Sequence, residues 1–303
     1  MKILVTGSTG LLGSALVPEL KKAGHTVCRL VRPRTVVKDG DDSFQVAWNP
    51  TTGGLGGAGV GADAVVNLAG AFIAGGRWTP ERKAVLRSSR VETTRALVKA
   101  LAKMSARPRV LVSASGVGFY GSRGDEVLTE ESSAGTDFLA EMAKDWEGEA
   151  LKAEALGIRV VLARVGAVLA KHGGALPKMM LPFRFFVGGK LGSGQQWLSW
   201  ITLEDVVEAI RFALENANVR GPLNVITPQP VQNVAFTQEL ARAMHRPALF
   251  PAPAFALRLA LGEMADALLL SSQRALPRKL EQLGFSFRHP ELQAALNAIL
   301  LGA

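Results

Sequence analysis

The sequence predicts an α/β fold: a doubly wound parallel sheet followed by a smaller C-terminal α/β lobe. Three observations carry this. Short apolar runs, as in buried parallel strands, occur at residues 3–5, 63–70, 109–115 and 159–165. Segments of helical length lie between them, giving the β-α alternation of a parallel sheet. After about Gly166 the alternation stops, and a Gly- and Pro-rich stretch leads into helices.

The first unit is the most informative. Ile3, Leu4 and Val5 end in glycines at Gly7, Gly10 and Gly13, with Ser8, Thr9, Leu11 and Leu12 between them. Gly7 lets the chain turn out of the strand. Gly10 keeps side-chain bulk away from a pyrophosphate. Gly13 brings the next helix close to the sheet. That helix, about Leu11 to Ala23, aims its free N–H groups and positive dipole end at phosphates. Gly24 is a good C-cap, and Thr26 to Val31 reads as the second strand. Strand, glycine turn, helix and strand in this order predict a Rossmann dinucleotide site. At the end of the second strand, NAD-selective sites place an acid for the ribose hydroxyls. Here Arg32 stands there, with Arg34 two residues on. A guanidinium pairs with a 2′-phosphate, so NADP is expected over NAD.

Further along, Phe44 to Trp48 reads as a short strand and 49–61 as a surface connection. The strand at 63–70 ends in Leu68, Ala69 and Gly70. Its carboxyl end faces the cofactor crevice, so these three are expected backbone contacts. Pro80 to Lys103 reads as one long helix capped by Thr79. Arg87 and Arg90 fall off its apolar stripe and are placed toward the crevice, Arg87 as a cofactor contact. Arg109 to Ser115 is the next strand, with a tight loop over 116–121. A helix over 138–156 and a strand over 159–165 follow. The expected division is a cofactor domain over 1–166 and a substrate lobe over 167–303, with 199–226 partly packing back on the first. Within the lobe, 203–215, 236–244, 254–265 and 290–301 read as helices and 223–226 as a strand.

Composition narrows the function classes. Hydrophobic content of 48% with 20% charged residues is ordinary for a globular chain. The net charge of +9 comes from scattered residues, without basic–aromatic alternation, so no nucleic-acid partner is expected. A single cysteine, Cys28, and four widely spaced histidines exclude Cys-rich metal clusters and give no metal motif. No apolar run reaches spanning length, so no membrane partner is expected. A cytoplasmic monomer or homodimer acting on a small molecule is the default expectation.

The chain resembles the extended branch of the short-chain dehydrogenase/reductase superfamily. The matching stretches are Thr6-Gly-x-x-Gly-x-x-Gly13, Asn67-Leu-Ala-Gly70, Ser113-x-Ser115 with Tyr120-Gly121, and Trp200-Ile-Thr-Leu-Glu-Asp205. It is closer still to an epimerase-like subfamily, also described as cell-division-inhibitor-like, in 113–121, in Asp137-Phe-Leu with Trp146-Glu147, and in a terminal region holding Gly262-Glu-Met-Ala265, Leu276-Pro-Arg-Lys-Leu280 and Gly284-Phe-Ser-Phe287. The resemblance spans essentially the whole chain. It implies a nicotinamide cofactor, with Ser113, Val165 and Lys144 among its contacts.

It also implies chemistry by a Tyr-x-x-x-Lys pair and a Ser or Thr, in which the phenol exchanges a proton with substrate. This chain departs from that pattern. Its one tyrosine, Tyr120, is followed four residues later by Gly124, and the residue four before Lys144 is Ala140. Ser115 stands where the superfamily places its hydroxyl. Ser115, Tyr120 and Lys144 are therefore the candidate catalytic residues. Three readings stay open: a substitute acid in an unusual oxidoreductase or epimerase, hydride transfer without acid–base help, or NADP(H) binding without turnover as a sensor or scaffold. Trp78, Met179, Phe183, Trp197 and Trp200 are the candidate substrate contacts, and each is equally suited to the lobe's own core. A pocket lined by them suits an apolar or planar ligand better than a sugar nucleotide.

Overall fold

A computed structural model describes residues 1–33, 44–51, 53, 55 and 59–302. The chain runs β1 (Lys2–Thr6), α1 (Leu11–Lys22), β2 (Thr26–Val31), β3 (Phe44–Ala47), β4 (Ala64–Asn67), α2 (Pro80–Ser88), α3 (Val91–Ala102) and β5 (Val110–Gly116). Then come β6 (Val127–Leu128), α4 (Phe138–Leu151), β7 (Arg159–Val165), β8 (Ala167–Leu169), α5 (Leu176–Arg184), β9 (Trp197–Leu198), β10 (Trp200–Thr202) and α6 (Leu203–Glu215). The rest is β11 (Gly221–Val225), β12 (Val231–Gln232), α7 (Asn233–Met244), α8 (Ala254–Leu261), α9 (Glu263–Ala265), β13 (Arg274–Ala275), α10 (Arg278–Gln282) and α11 (Leu292–Leu301).

The central sheet has seven strands in the order β11-β7-β5-β4-β1-β2-β3, every neighbouring pair parallel. The strand order reverses between β1 and β4, and in such sheets the crevice outside that point binds the ligand. Alternation along the strands explains the two cores. Ile3 and Val5 face α1 and α6, through Leu16, Leu20, Val206 and Ile210. Leu4 points the other way, toward Leu97 and Leu101 of α3. α6 and β11 thus belong to the main sheet's packing, although they follow the first lobe elements in sequence. A third core, of Leu176, Met180, Phe183, Trp200, Phe236, Leu240, Leu292 and Leu296, joins α5, α7 and α11 in the C-terminal lobe.

Two expected helices are interrupted. The helix expected over 80–103 breaks at Ser89 and Arg90, which separate α2 from α3. The helix expected over 254–265 breaks at Gly262, whose φ of +63° no helix tolerates. α5 forms inside the Gly- and Pro-rich stretch, because Pro177 occupies its first turn, where a missing N–H costs nothing.

Candidate functional site

Three glycines shape the mouth of β1, each for a different steric reason. Gly7 has φ +66°, and a Cβ there would sit 2.4 Å from Leu68 O. A Cβ on Gly13 would sit 2.3 Å from Gly7 O. A Cβ on Gly10 would meet only Gly7 O, at 3.4 Å, and would instead fill the open face of the loop. α1 begins there with no side-chain cap and no acid in its first turn. Its N–H groups and dipole therefore face outward uncompensated, as an anion site requires. Ser8 adds a buried hydroxyl with no hydrogen-bond partner. An orphaned donor beside an uncapped helix start suits a diphosphate. Ser8 and the loop 7–13 are the residues that would hold it, with exposed Thr9 and half-buried Leu11 and Leu12 at the rim.

A buried polar network underlies the crevice. Thr6 donates to Asn67 Oδ1 at 2.7 Å, and the Asn67 amide donates to Thr94 at 2.8 Å and Ser113 at 3.2 Å. Trp146 Nε1 also donates to Thr94, at 2.9 Å. Ser113, expected as a cofactor contact, lies wholly buried in this network. Its role in the structure is to fix Asn67.

The loop after β4 is held from behind. Arg90 donates to Ala71 O and Leu86 O, both at 3.0 Å, and Ser89 accepts from the Ala71 N–H at 3.0 Å. Burial, helped by the neighbouring Arg82 charge, pulls the Arg90 pKa down to about 10. The helix break at Ser89–Arg90 thus clamps the segment presenting Leu68, Ala69 and Gly70. Arg90 acts behind that segment, while Arg87 is exposed and ion-paired to Asp145 of α4.

At the end of β5, Ser115 donates to Glu147 Oε1 at 2.6 Å. Arg164 grips the same carboxylate through Nε and Nη2, both at 2.8 Å. Arg164 lies 3.5 Å from the centre of the Phe119 ring and donates to the Tyr120 hydroxyl at 3.0 Å. Tyr120 in turn donates to Asn224 Oδ1 at 2.6 Å. Tyr120, expected among the proton-transfer groups, is fully buried, and its hydroxyl is spent on these partners. Burial pushes its phenol above the ordinary range, against the opposing Arg164 charge. It is a structural residue of the core.

The helix row that meets this end of β5 is Leu139, Ala143 and Glu147, spaced i, i+4, i+8 and all buried. Leu139 packs on Gly118, where an added Cβ would lie 3.2 Å from it. A Tyr-x-x-x-Lys pair on this face would fall at 139 and 143, so Leu and Ala replace it. Lys144 is exposed, one position off that row. Val165 is half-buried at the end of β7, paired in register with Gly116. Arg32 is exposed just after β2, and Arg34 lies outside the described residues.

The wall around Trp78, expected to face a substrate, is apolar. Trp78 packs with Leu139, Met142, Leu86 and Met264 and stands edge-on to Phe138 at 5.4 Å. The C-terminal lobe is tied to this wall by the Lys83–Glu263 ion pair at 2.7 Å and by Arg77 donating to Leu259 O. From α5, Lys178 donates to Ala74 O at 2.6 Å, and a Cβ added at Gly173 or Gly174 would lie 3.1 Å from Leu11. Sequence reasoning missed Met264 as a wall residue, since Met264 and Ala265, two apolar residues between Glu263 and Asp266, look like any buried turn. Three expected substrate contacts lie elsewhere. Trp200 and Phe183 are in the lobe core, and Trp197 is bound to Asp125 at 2.7 Å beneath the Arg274 guanidinium. Their apolar surface is already taken up by the lobe. Met179 is half-buried against that same core.

Fold and glycine loop together define a Rossmann-type nucleotide-binding protein. The chain belongs to the NAD dependent epimerase/dehydratase family, whose model matches residues 3–226. Residues 252–299 match a domain of unknown function. An epimerase family protein of Mycobacterium tuberculosis is 44% identical over 296 residues, covering 97% of this chain and 96% of the relative. The Bacillus subtilis epimerase family protein YfhF is 41% identical over 301 residues, covering 99% and 98%. Among solved structures, the human epimerase family protein SDR39U1 with NADPH matches with a TM-score of 0.88 and 33% identity over the full length of both chains.

Proposed function

We propose that this protein binds NADP(H) and transfers hydride to or from an apolar or planar small molecule without a tyrosine–lysine proton relay. The observation that carries the reading is the cradle at Ser8 and Gly10, a buried hydroxyl without a partner beside an uncapped helix start. The NADPH in the human relative and Arg32 after β2 support the phosphorylated cofactor.

The nicotinamide, when bound, supplies or accepts the hydride. The protein's part is positioning. Ser115 directs its proton to Glu147, so its oxygen faces a substrate only as an acceptor. Leu139 and Ala143 exclude water and offer no acid. Such a site suits a substrate that needs little proton transfer from the protein. The same Leu–Ala row also favours a second reading, cofactor binding without turnover.

A screen of NADPH oxidation against ketones, enones and quinones separates the two readings. Consumption with stoichiometric product supports hydride transfer. Tight NADPH binding with no consumption across the panel supports the binding role.

A further inference from the structure

Two segments of the C-terminal lobe contain no carboxylate. From Lys171 to Leu203 the sequence has no Asp or Glu, and it has none from Leu240 to Gly262. The structure lays these segments side by side. The Phe250 and Ala252 N–H groups donate to Gly188 O and Lys190 O at 3.0 and 2.9 Å, and Gly192 N–H returns to Ala252 O at 2.9 Å. The joined edge exposes Phe185, Phe186, Leu249 and Phe250. α8 continues the surface with Ala-Phe-Ala-Leu-Arg-Leu-Ala-Leu, in which no residue is buried. Its Phe255 and Leu259 are 71% and 78% exposed, values far from those of a helix packed on a core. Apolar exposure concentrated in this way marks a binding surface.

The charges within the two segments share one sign, and the acids that border them, Asp266, Glu263 and Glu239, are each paired to a cation, Arg258, Lys83 and Arg242. Arg184, Lys190 and Arg246 are exposed, with no acid in their own segments. The Arg246 guanidinium lies 4.6 Å from the centre of the Phe186 ring. Phe186 itself holds φ +60°, a conformation rare for an aromatic residue and kept where surrounding structure demands it.

We propose that this basic, apolar face docks on the surface of an anionic lipid bilayer. Phe185, Phe250, Phe255 and Leu259 enter the boundary between headgroups and acyl chains, while Arg184, Lys190 and Arg246 meet lipid phosphates. Charge complementarity selects this occupant. A two-fold contact with a second copy would set Arg184, Lys190 and Arg246 against one another, while the bordering acids Asp266, Glu263 and Glu239 are already paired within the chain. The exposed phenylalanines could stack on bases as well as enter lipid, but Leu249 and Leu259 add aliphatic surface that acyl chains accept and bases do not stack on. No helix among the described residues is long and apolar enough to cross a membrane, so the contact is interfacial. The proposal revises the expectation of no membrane partner.

Co-sedimentation of the full chain with vesicles tests it. One set is phosphatidylcholine alone, and the other is equal parts phosphatidylcholine and phosphatidylglycerol. The expected result is pelleting with the anionic vesicles only, weakened by salt. A Phe255→Ser/Leu259→Ser variant and an Arg184→Glu/Lys190→Glu variant should each bind at least about tenfold less. Both double variants alter exposed positions, and retained NADPH affinity with an unchanged thermal transition shows that they fold. Failure of the wild type to pellet, or undiminished pelleting of both variants, overturns the proposal. So does a dimer in sedimentation velocity that the Phe255→Ser/Leu259→Ser variant dissociates, which would assign the face to a second copy. Binding to single-stranded DNA that competes with vesicles no better than chloride would leave lipid as the partner. Preferential DNA binding through the same residues would overturn it.

Discussion

Ser115 donates its proton to Glu147 across 2.6 Å, and both side chains are buried. Glu147 is in turn fixed by two nitrogens of Arg164. A hydroxyl at the crevice floor is thereby oriented by a carboxylate that touches nothing outside the protein. Ser115→Ala should cost about 1.5–3 kcal/mol of stability, the range for a hydrogen bond to a charged group. NADPH affinity should hold within about twofold if the phosphates carry binding. Urea unfolding and a cofactor titration on one preparation read both quantities.

Glu147→Gln keeps the shape and removes the charge. Arg164 is then buried without its counter-ion, and the loss should be about 3–5 kcal/mol. Chemical denaturation checks it. A loss below about 1 kcal/mol would mean that Arg164 finds another partner, against the geometry.

Tyr120 is the only tyrosine in the chain, so its ionisation can be followed by phenolate absorbance without overlap from another phenol. Burial raises its folded pKa above the unfolded value, which lies near 10. The unfolded state therefore loses this proton first as pH rises, and the folded state binds more protons in that window. The group's contribution to stability is full below about pH 10 and falls above it. The phenolate signal should appear in the native protein only beyond the ordinary range, or together with unfolding. A native titration at the ordinary tyrosine value would contradict the buried assignment.

The glycine loop makes two opposite predictions. Gly13→Ala places a Cβ 2.3 Å from Gly7 O and should displace α1, lowering stability and cofactor binding together. Gly10→Ala meets nothing closer than 3.4 Å and should leave the thermal transition in place. It fills the cradle, however, and NADPH affinity should fall by about tenfold, or about 1.4 kcal/mol. Calorimetry and fluorescence titration of the two variants separate the effects.

Much of the scaffold was legible because glycine and apolar runs leave little choice. β1, α1, β2, β5 and β7 lie within a residue or two of their expected bounds. The break at Ser89–Arg90 was not legible, since both residues are tolerated within a helix and only their bonds to Ala71 and Leu86 end it. The helix face that meets β5 lies one position from the one on which Lys144 was expected. Lys144 is the lysine that the helix offers, but the Glu147–Ser115 contact fixes which row faces β5, and that row holds Leu139 and Ala143. Trp200 and Phe183 were ambiguous for a different reason: composition cannot tell an apolar core from an apolar pocket. Trp200→Ala should cost about 3–5 kcal/mol as a core truncation.

We propose a nucleotide cradle at residues 7–13 that Arg32 makes selective for the phosphorylated cofactor. Its most direct test is a fluorescence titration with NADPH and NADH of the wild type and of Arg32→Ala. NADPH should bind more tightly than NADH, Arg32→Ala should lose that preference, and NADH affinity should change little. Equal affinities in the wild type would contradict the role of Arg32, and no binding of either dinucleotide would contradict the cradle itself.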